Sequence, residues 1–69
     1  MKRKQVKSGV LKSVGYDRDK QILETELLNE GLYQYYKVPY SAYLQLMKAK
    51  SLGEYYNRHI KKYDYKKIE

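Results

Sequence analysis

The chain has 69 residues, no cysteine and one histidine, so disulfide bonds and thiolate metal sites are excluded. Its formal net charge is +7, which favours polyanionic partners, chiefly nucleic acid. This length predicts one small domain, and because folding buries only about 60% of the unfolded chain's surface, its stability is expected to be marginal. Ten tyrosines are the only aromatic residues. They must therefore supply an unusually polar core, a tyrosine-lined contact surface, or both.

The first seven residues are strongly basic and have no periodic apolar pattern. They predict a flexible basic arm over residues 1–7, followed by a single domain over residues 8–69. No apolar segment follows the basic start, so no secretion signal is expected. No run of about 18 apolar residues is present, and no transmembrane helix is expected either. These features predict a cytoplasmic protein without a membrane partner.

Three segments have the composition of β-strands. The first is expected over residues 8–16, where imperfect alternation predicts a bulge near Gly9 or Ser13. The second, over residues 22–28, has the clearest alternation of apolar and polar side chains. The third, over residues 32–38, is rich in strand-forming tyrosines and follows a short glycine-containing loop, which is typical of a hairpin.

Two helices are expected after the strands. Pro39 ends the third strand and suits the first turn of a helix that continues to about Lys50. Ser51 and Glu54 have the spacing of a capping box, which predicts the start of a second helix. The predicted fold is therefore α+β, with a three-stranded antiparallel β-meander followed by two helices packed on one face (β-β-β-α-α).

The order and spacing of many residues resemble the KTSC domain family from about Ser8 to Ile68. That family is named for its occurrence at the C-terminus of some lysyl-tRNA synthetases, and it includes small stand-alone bacterial and phage proteins. The resemblance implies the same fold, and RNA binding has been suggested for the family. The residues that carry it are Ser13-Val14-Gly15-Tyr16-Asp17, Leu23, Leu27, Gly31, the Tyr33-Gln34-Tyr35 signature, Val38-Pro39, Tyr43, Leu46, Ala49, Ser51, Gly53, Tyr56-Asn57, Ile60 and Tyr63.

Tyr33 and Tyr35 are candidate nucleic-acid contacts, because adjacent aromatic rings on one sheet face stack bases in several RNA-binding folds. The alternative is that both rings pack under the helices, as alternate strand residues facing a helix usually do. In that case Tyr36 and Lys37 would form a contact surface on the other face. Tyr65 is also expected to be exposed.

A cationic edge is expected on the second helix, where Arg58, Lys61 and Lys62 fall largely outside its apolar stripe. These side chains would contact phosphates, with weak sequence specificity. The alternative is an ordinary solvated helix face.

The sequence contains no catalytic triad, nucleophilic cysteine, phosphate-binding glycine loop or zinc motif. We therefore expect no enzymatic activity, no cofactor, no metal and no small-molecule substrate. The first functional hypothesis is a nucleic-acid-binding module, with RNA favoured. The second is a protein-interaction module, either a homodimer or a phage or bacterial accessory protein. The sequence leaves the choice of RNA, DNA or protein partner open.

Overall fold

A computed structural model describes the whole chain, residues 1–69, as a five-stranded antiparallel sheet with helices on one face. The strands follow each other across the sheet in chain order. They are β1 (Arg3–Gln5), β2 (Leu11–Asp17), β3 (Ile22–Leu27), β4 (Gly31–Tyr35) and β5 (Tyr65–Lys67). The helices are α1 (Tyr40–Lys48) and α2 (Leu52–Tyr55), and a π-helical turn (Tyr56–Ile60) continues directly from α2.

The predicted α+β class, with an antiparallel sheet and two helices, is confirmed, but the predicted number of three strands is wrong. The two additional strands are the sheet's edges. β1 lies within residues 1–7, which were predicted as a flexible arm, and β5 lies in residues 64–69. Each edge strand has three exposed residues, so neither carries the alternation of buried and exposed side chains that marks a strand in sequence.

The central meander matches the strand pattern of the sequence. The register between β2 and β3 shifts between Leu11 and Ser13, which confirms the bulge predicted in this region. The extra residue returns both Leu11 and Val14 to the buried side of the sheet. Gly31 begins β4 with a φ of 93°, and a Cβ there would collide with the carbonyl oxygen of Glu69. Glycine is therefore required where the hairpin passes the C-terminal residues.

The core lies between one sheet face and the helical layer. Its aromatic members are tyrosines, as the composition requires. Two of the ten residues in the main cluster are tyrosines whose hydroxyls must find partners in the interior. The cluster consists of Leu11, Val14, Leu23, Leu27, Tyr35, Val38, Ala42, Leu46, Tyr56 and Ile60.

The second helix begins where the capping signal predicts. The Ser51 side chain accepts a hydrogen bond from the Glu54 amide at 3.2 Å. The Glu54 carboxylate pairs with Arg58 at 3.2 Å, four residues further along the chain. After Tyr55 the helix widens, and the Lys61 amide donates to the Tyr56 carbonyl five residues earlier. This wide turn directs Tyr56 and Ile60 into the core.

Neither helix could cross a bilayer. The longer one, α1, has nine residues, and no helix combines the length and apolar character that a membrane span needs.

Candidate functional site

The principal candidate site is a cleft of about 260 Å³ between the sheet and the π-helical turn. Five of its seven lining residues are hydrophobic or aromatic, and four of those are tyrosines. We call it the tyrosine cleft. Its lining residues are Leu27, Glu30, Tyr33, Tyr35, Tyr56, Lys61 and Tyr65.

Tyr35 and Tyr56 form the buried floor of the tyrosine cleft. They are 3% and 1% exposed, and their hydroxyl oxygens lie 2.5 Å apart in a shared hydrogen bond. Their rings meet edge to face, with centroids 5.8 Å apart. Burial raises the pKa of Tyr35 far above its usual range, and the hydrogen bond to Tyr56 raises it further. Burial also raises the pKa of Tyr56, so both hydroxyls stay protonated and the floor stays uncharged.

Tyr33 and Tyr65 form the accessible rim. Tyr33 is half-buried, whereas Tyr65 is 59% exposed. The Tyr65 centroid lies 5.8 Å from that of Tyr33 and 5.6 Å from that of Tyr35. This arrangement arises because Tyr33 and Tyr35 alternate along β4, and β5 places Tyr65 directly opposite Tyr35. The three rings therefore form a continuous aromatic surface on one side of the sheet edge.

Two lysines lie near tyrosine rings of the cleft. Lys61 Nζ lies 5.6 Å from the Tyr56 ring centroid, and Lys67 Nζ lies 5.9 Å from the Tyr33 centroid. Both distances fall within the range of a cation–π interaction. Glu30 is the one acidic residue in the lining. The site thus combines stacking surfaces, two cations and a single carboxylate.

Of the residues predicted as nucleic-acid contacts, the cleft brings together Tyr33, Tyr35 and Lys61. Tyr33 remains accessible at the rim. Tyr35 belongs to the core, as the alternative interpretation of the sequence expected.

The other four predicted contacts lie outside the cleft. The hydroxyl of half-buried Tyr36 donates to Gln34 at 3.3 Å on the opposite face of the sheet. Lys37 is exposed just after β4, with a left-handed backbone φ of 57°. Arg58 lines a separate surface depression near the start of α2, and Lys62 Nζ lies 5.5 Å from the Tyr63 ring. The seven residues therefore do not form one surface.

The predicted contacts did not include Glu30, the pattern placed Lys67 only as a possible extension of the cationic edge, and it did not connect the exposed Tyr65 to Tyr33 and Tyr35. In a strand, Tyr65 and Lys67 lie on one face and Lys66 on the other, and this alternation is the one sign of β5 in the sequence. It is too short to identify a strand by itself.

The opposite face of the sheet carries a polar network centred on Glu24, which is 6% exposed. Its carboxylate accepts from Arg3 at 2.5 Å and from the Gln34 side-chain amide at 2.8 Å. Burial acts to raise the pKa of Glu24, but hydrogen bonds from Gln34 and Arg3 and the charge of Arg3 lower it below its usual value. Glu24 is therefore a paired anion that attaches β1 to the centre of the sheet.

Gly15 allows Arg3 to reach that carboxylate. A Cβ on Gly15 would lie 2.7 Å from the Lys2 carbonyl oxygen and 2.9 Å from Arg3 Cγ, so a larger residue would push β1 away. The network stabilises the sheet, and the carboxylate at the centre of the network is paired.

Comparison with known proteins places this fold in a family. The model of the KTSC domain matches residues 7–65, which is most of the chain. The chain belongs to the KTSC domain family. An uncharacterised protein of Stutzerimonas stutzeri is 41% identical over 66 residues, which are 96% of this chain and 93% of that protein.

A crystal structure of a KTSC domain protein from Yersinia pestis has the same fold. It superposes with a TM-score of 0.96 at 38% identity and covers 99% of this chain and 97% of that one. In this KTSC domain, the Tyr33-Gln34-Tyr35 segment contributes side chains to both faces of the sheet. Its two tyrosines line the cleft, and its glutamine binds Glu24 on the opposite face.

Proposed function

We propose that this KTSC domain binds single-stranded RNA through the tyrosine cleft. The observation that carries the proposal is the accessible pair of rings, Tyr33 and Tyr65, in a cleft that Lys61 also lines, with the Lys67 ammonium group 5.9 Å from the Tyr33 ring centroid. Aromatic rings that stack unpaired bases, next to cations that contact phosphates, are the two components of single-strand binding.

Stacking and electrostatic free energies both favour RNA binding at accessible rings beside lysines. Each base stacked on an aromatic ring contributes roughly 1–3 kcal/mol, whatever the base. The lysines add an electrostatic contribution that depends on salt, and the net charge of +7 attracts a polyanion before contact. Arg58 and Lys62 lie outside the cleft, and Arg58 is paired with Glu54, so neither belongs to the proposed contact surface. Tyr36 and Lys37 play no part in contacts made within it.

RNA is favoured over DNA because the resemblance to the KTSC family implies an association with lysyl-tRNA synthetases. The proposed activity is binding without catalysis, cofactor or metal, in the cytoplasm. The mutually bonded, protonated hydroxyls of Tyr35 and Tyr56 are consistent with binding alone, because neither group is poised as a base or nucleophile.

The competing function, a protein-interaction module that forms a homodimer, has less support. Pairing through a sheet edge is opposed by the short edge strands, which carry Lys4 on one side and Lys66 and Lys67 on the other. The face without helices is occupied at its centre by the Glu24 network rather than by a continuous apolar patch.

Replacing Lys61 or Lys67 with alanine is expected to weaken RNA binding and reduce its salt dependence. For single strands, each phosphate contact contributes about 0.7 to the slope of log affinity against log salt concentration. Each variant should therefore lose about that much slope. Fluorescence anisotropy with a short unstructured RNA at several salt concentrations measures both quantities.

Lys48→Ala is the matched control, because Lys48 is exposed on α1 and does not line the cleft. It should leave the slope nearly unchanged. Equal slope losses in all three variants would indicate diffuse attraction rather than contact at the cleft. An absence of binding by the unmodified protein at low salt would refute the proposal.

A further inference from the structure

We propose that the tyrosine cleft prefers an unpaired guanine and that Glu30 is the residue that selects it. This inference rests on the proposed RNA binding and adds a base preference to it. Three observations carry it: the spacing of the rings, the position of Glu30 in the lining, and the absence of a protein partner for its carboxylate.

The spacing of the rings limits how a base can bind. A base sandwiched between two rings needs about 7 Å between them, twice the carbon–carbon contact distance. The Tyr33 and Tyr65 centroids are 5.8 Å apart and their planes are inclined by 51°. A base therefore stacks on the exposed face of one ring rather than between the two.

Glu30 stands at the β3–β4 end of the cleft, immediately before Gly31. Its carboxylate forms no hydrogen bond or ion pair with the protein, although Lys61 lines the same cleft. An anion at this position opposes phosphate binding and gives no evident benefit to the fold. Glu30 is exposed and lines the same cleft as Tyr33 and Tyr65, so its two oxygens are open to donors from a bound base.

Guanine is the base whose edge matches a carboxylate best. Its Watson–Crick edge presents N1–H and the N2 amino group side by side, so both carboxylate oxygens can accept. Adenine and cytosine present one amino donor beside a ring nitrogen acceptor, which a carboxylate repels. Uracil presents one N–H between two carbonyl oxygens. A bidentate contact of this type typically discriminates by about fivefold to 150-fold in affinity.

Five RNA oligonucleotides provide the test, each with a single variable base flanked by uridines. The variable base is guanine, inosine, adenine, cytosine or uracil, and inosine removes only the N2 amino group. The unmodified protein should bind the guanine oligonucleotide about tenfold more tightly than the uracil one, with inosine between them. In Glu30→Gln the difference between guanine and uracil should fall below about threefold, because one carboxylate acceptor is lost.

Glu54→Gln is the matched control, since Glu54 is exposed outside the tyrosine cleft, and it should retain the preference. Equal affinity of the unmodified protein for all five oligonucleotides, with binding still reduced by Tyr65→Ala, would overturn the selection and leave the proposed function standing. A guanine preference that persists in Glu30→Gln would remove the role of Glu30. No binding to any oligonucleotide at low salt would overturn both proposals.

Discussion

Replacing Tyr56 with alanine is expected to lower the free energy of unfolding by about 3–5 kcal/mol, the usual cost of truncating a buried aromatic residue. Tyr56 is fully buried, contacts Tyr35 edge to face and shares a hydrogen bond with it. A domain of this size is stable by roughly 3–10 kcal/mol, so the variant should lose most of its stability. Urea denaturation followed by circular dichroism measures the loss.

A phenylalanine series separates packing from hydrogen bonding at the same position. Tyr56→Phe keeps the ring but leaves the Tyr35 hydroxyl without its partner, which should cost about 1–3 kcal/mol. Removing both hydroxyls in Tyr35→Phe/Tyr56→Phe should cost less than the sum of the single changes, because neither tyrosine hydroxyl is left without its partner.

Tyr55→Ala, one residue earlier at the end of α2, is the matched control. Tyr55 is only half-buried, and its hydroxyl donates to Gln45 near the surface, so a loss of about 1 kcal/mol is expected. If Tyr56→Ala were no more destabilising than Tyr55→Ala, the floor of the cleft would not be the tightly packed structure described above.

Replacing Tyr65 with alanine is expected to weaken binding of single-stranded RNA by about 1–3 kcal/mol, or roughly fivefold to 150-fold. Tyr65 presents the most exposed ring of the cleft, and its removal takes away the outer stacking surface. The free energy of unfolding should change by less than about 1 kcal/mol, because most of the side chain is already in water. Anisotropy titration and urea denaturation of the same samples measure the two effects.

Two further variants show whether the ring itself is responsible. Tyr65→Phe keeps the stacking surface and should retain most of the affinity. Tyr40→Ala removes a half-buried tyrosine that packs against Tyr16 and Tyr43 outside the cleft, and it should leave affinity unchanged. Equal weakening by Tyr65→Ala and Tyr40→Ala would contradict a specific role for the cleft.

The elements that the sequence predicts correctly are those with an apolar face that packs on the core. The strand over residues 22–28 alternates in sequence because Leu23, Thr25 and Leu27 face the core, although Glu24 on the other face is buried as well. The Ser51–Glu54 spacing marks a helix start whose hydrogen bond forms. The edge strands β1 and β5 are held by backbone pairing with neighbouring strands, and all their residues are exposed. Backbone pairing leaves little trace in side-chain pattern, so three strands were predicted where five form.

The candidate site could be predicted only in part, for a related reason. Alternation along the third strand placed Tyr33 and Tyr35 on one face, and their shared contacts with Tyr65 confirm it. Whether each ring is buried depends on the π-helical turn that covers Tyr35 and on β5, which stops beside Tyr33. Lys67 and Glu30 enter the site through β5 and the β3–β4 turn. Their positions follow from pairing across the sheet rather than from local sequence.

The central claim is that the tyrosine cleft is the RNA-binding surface, and an amide chemical-shift map tests it most directly. Isotope-labelled protein is titrated with a short unstructured RNA at low salt. We expect the largest shift changes at Tyr33, Lys61, Tyr65 and Lys67, and little change at Lys48 on α1. The absence of shift changes at low salt, or changes concentrated away from the cleft, would contradict the account.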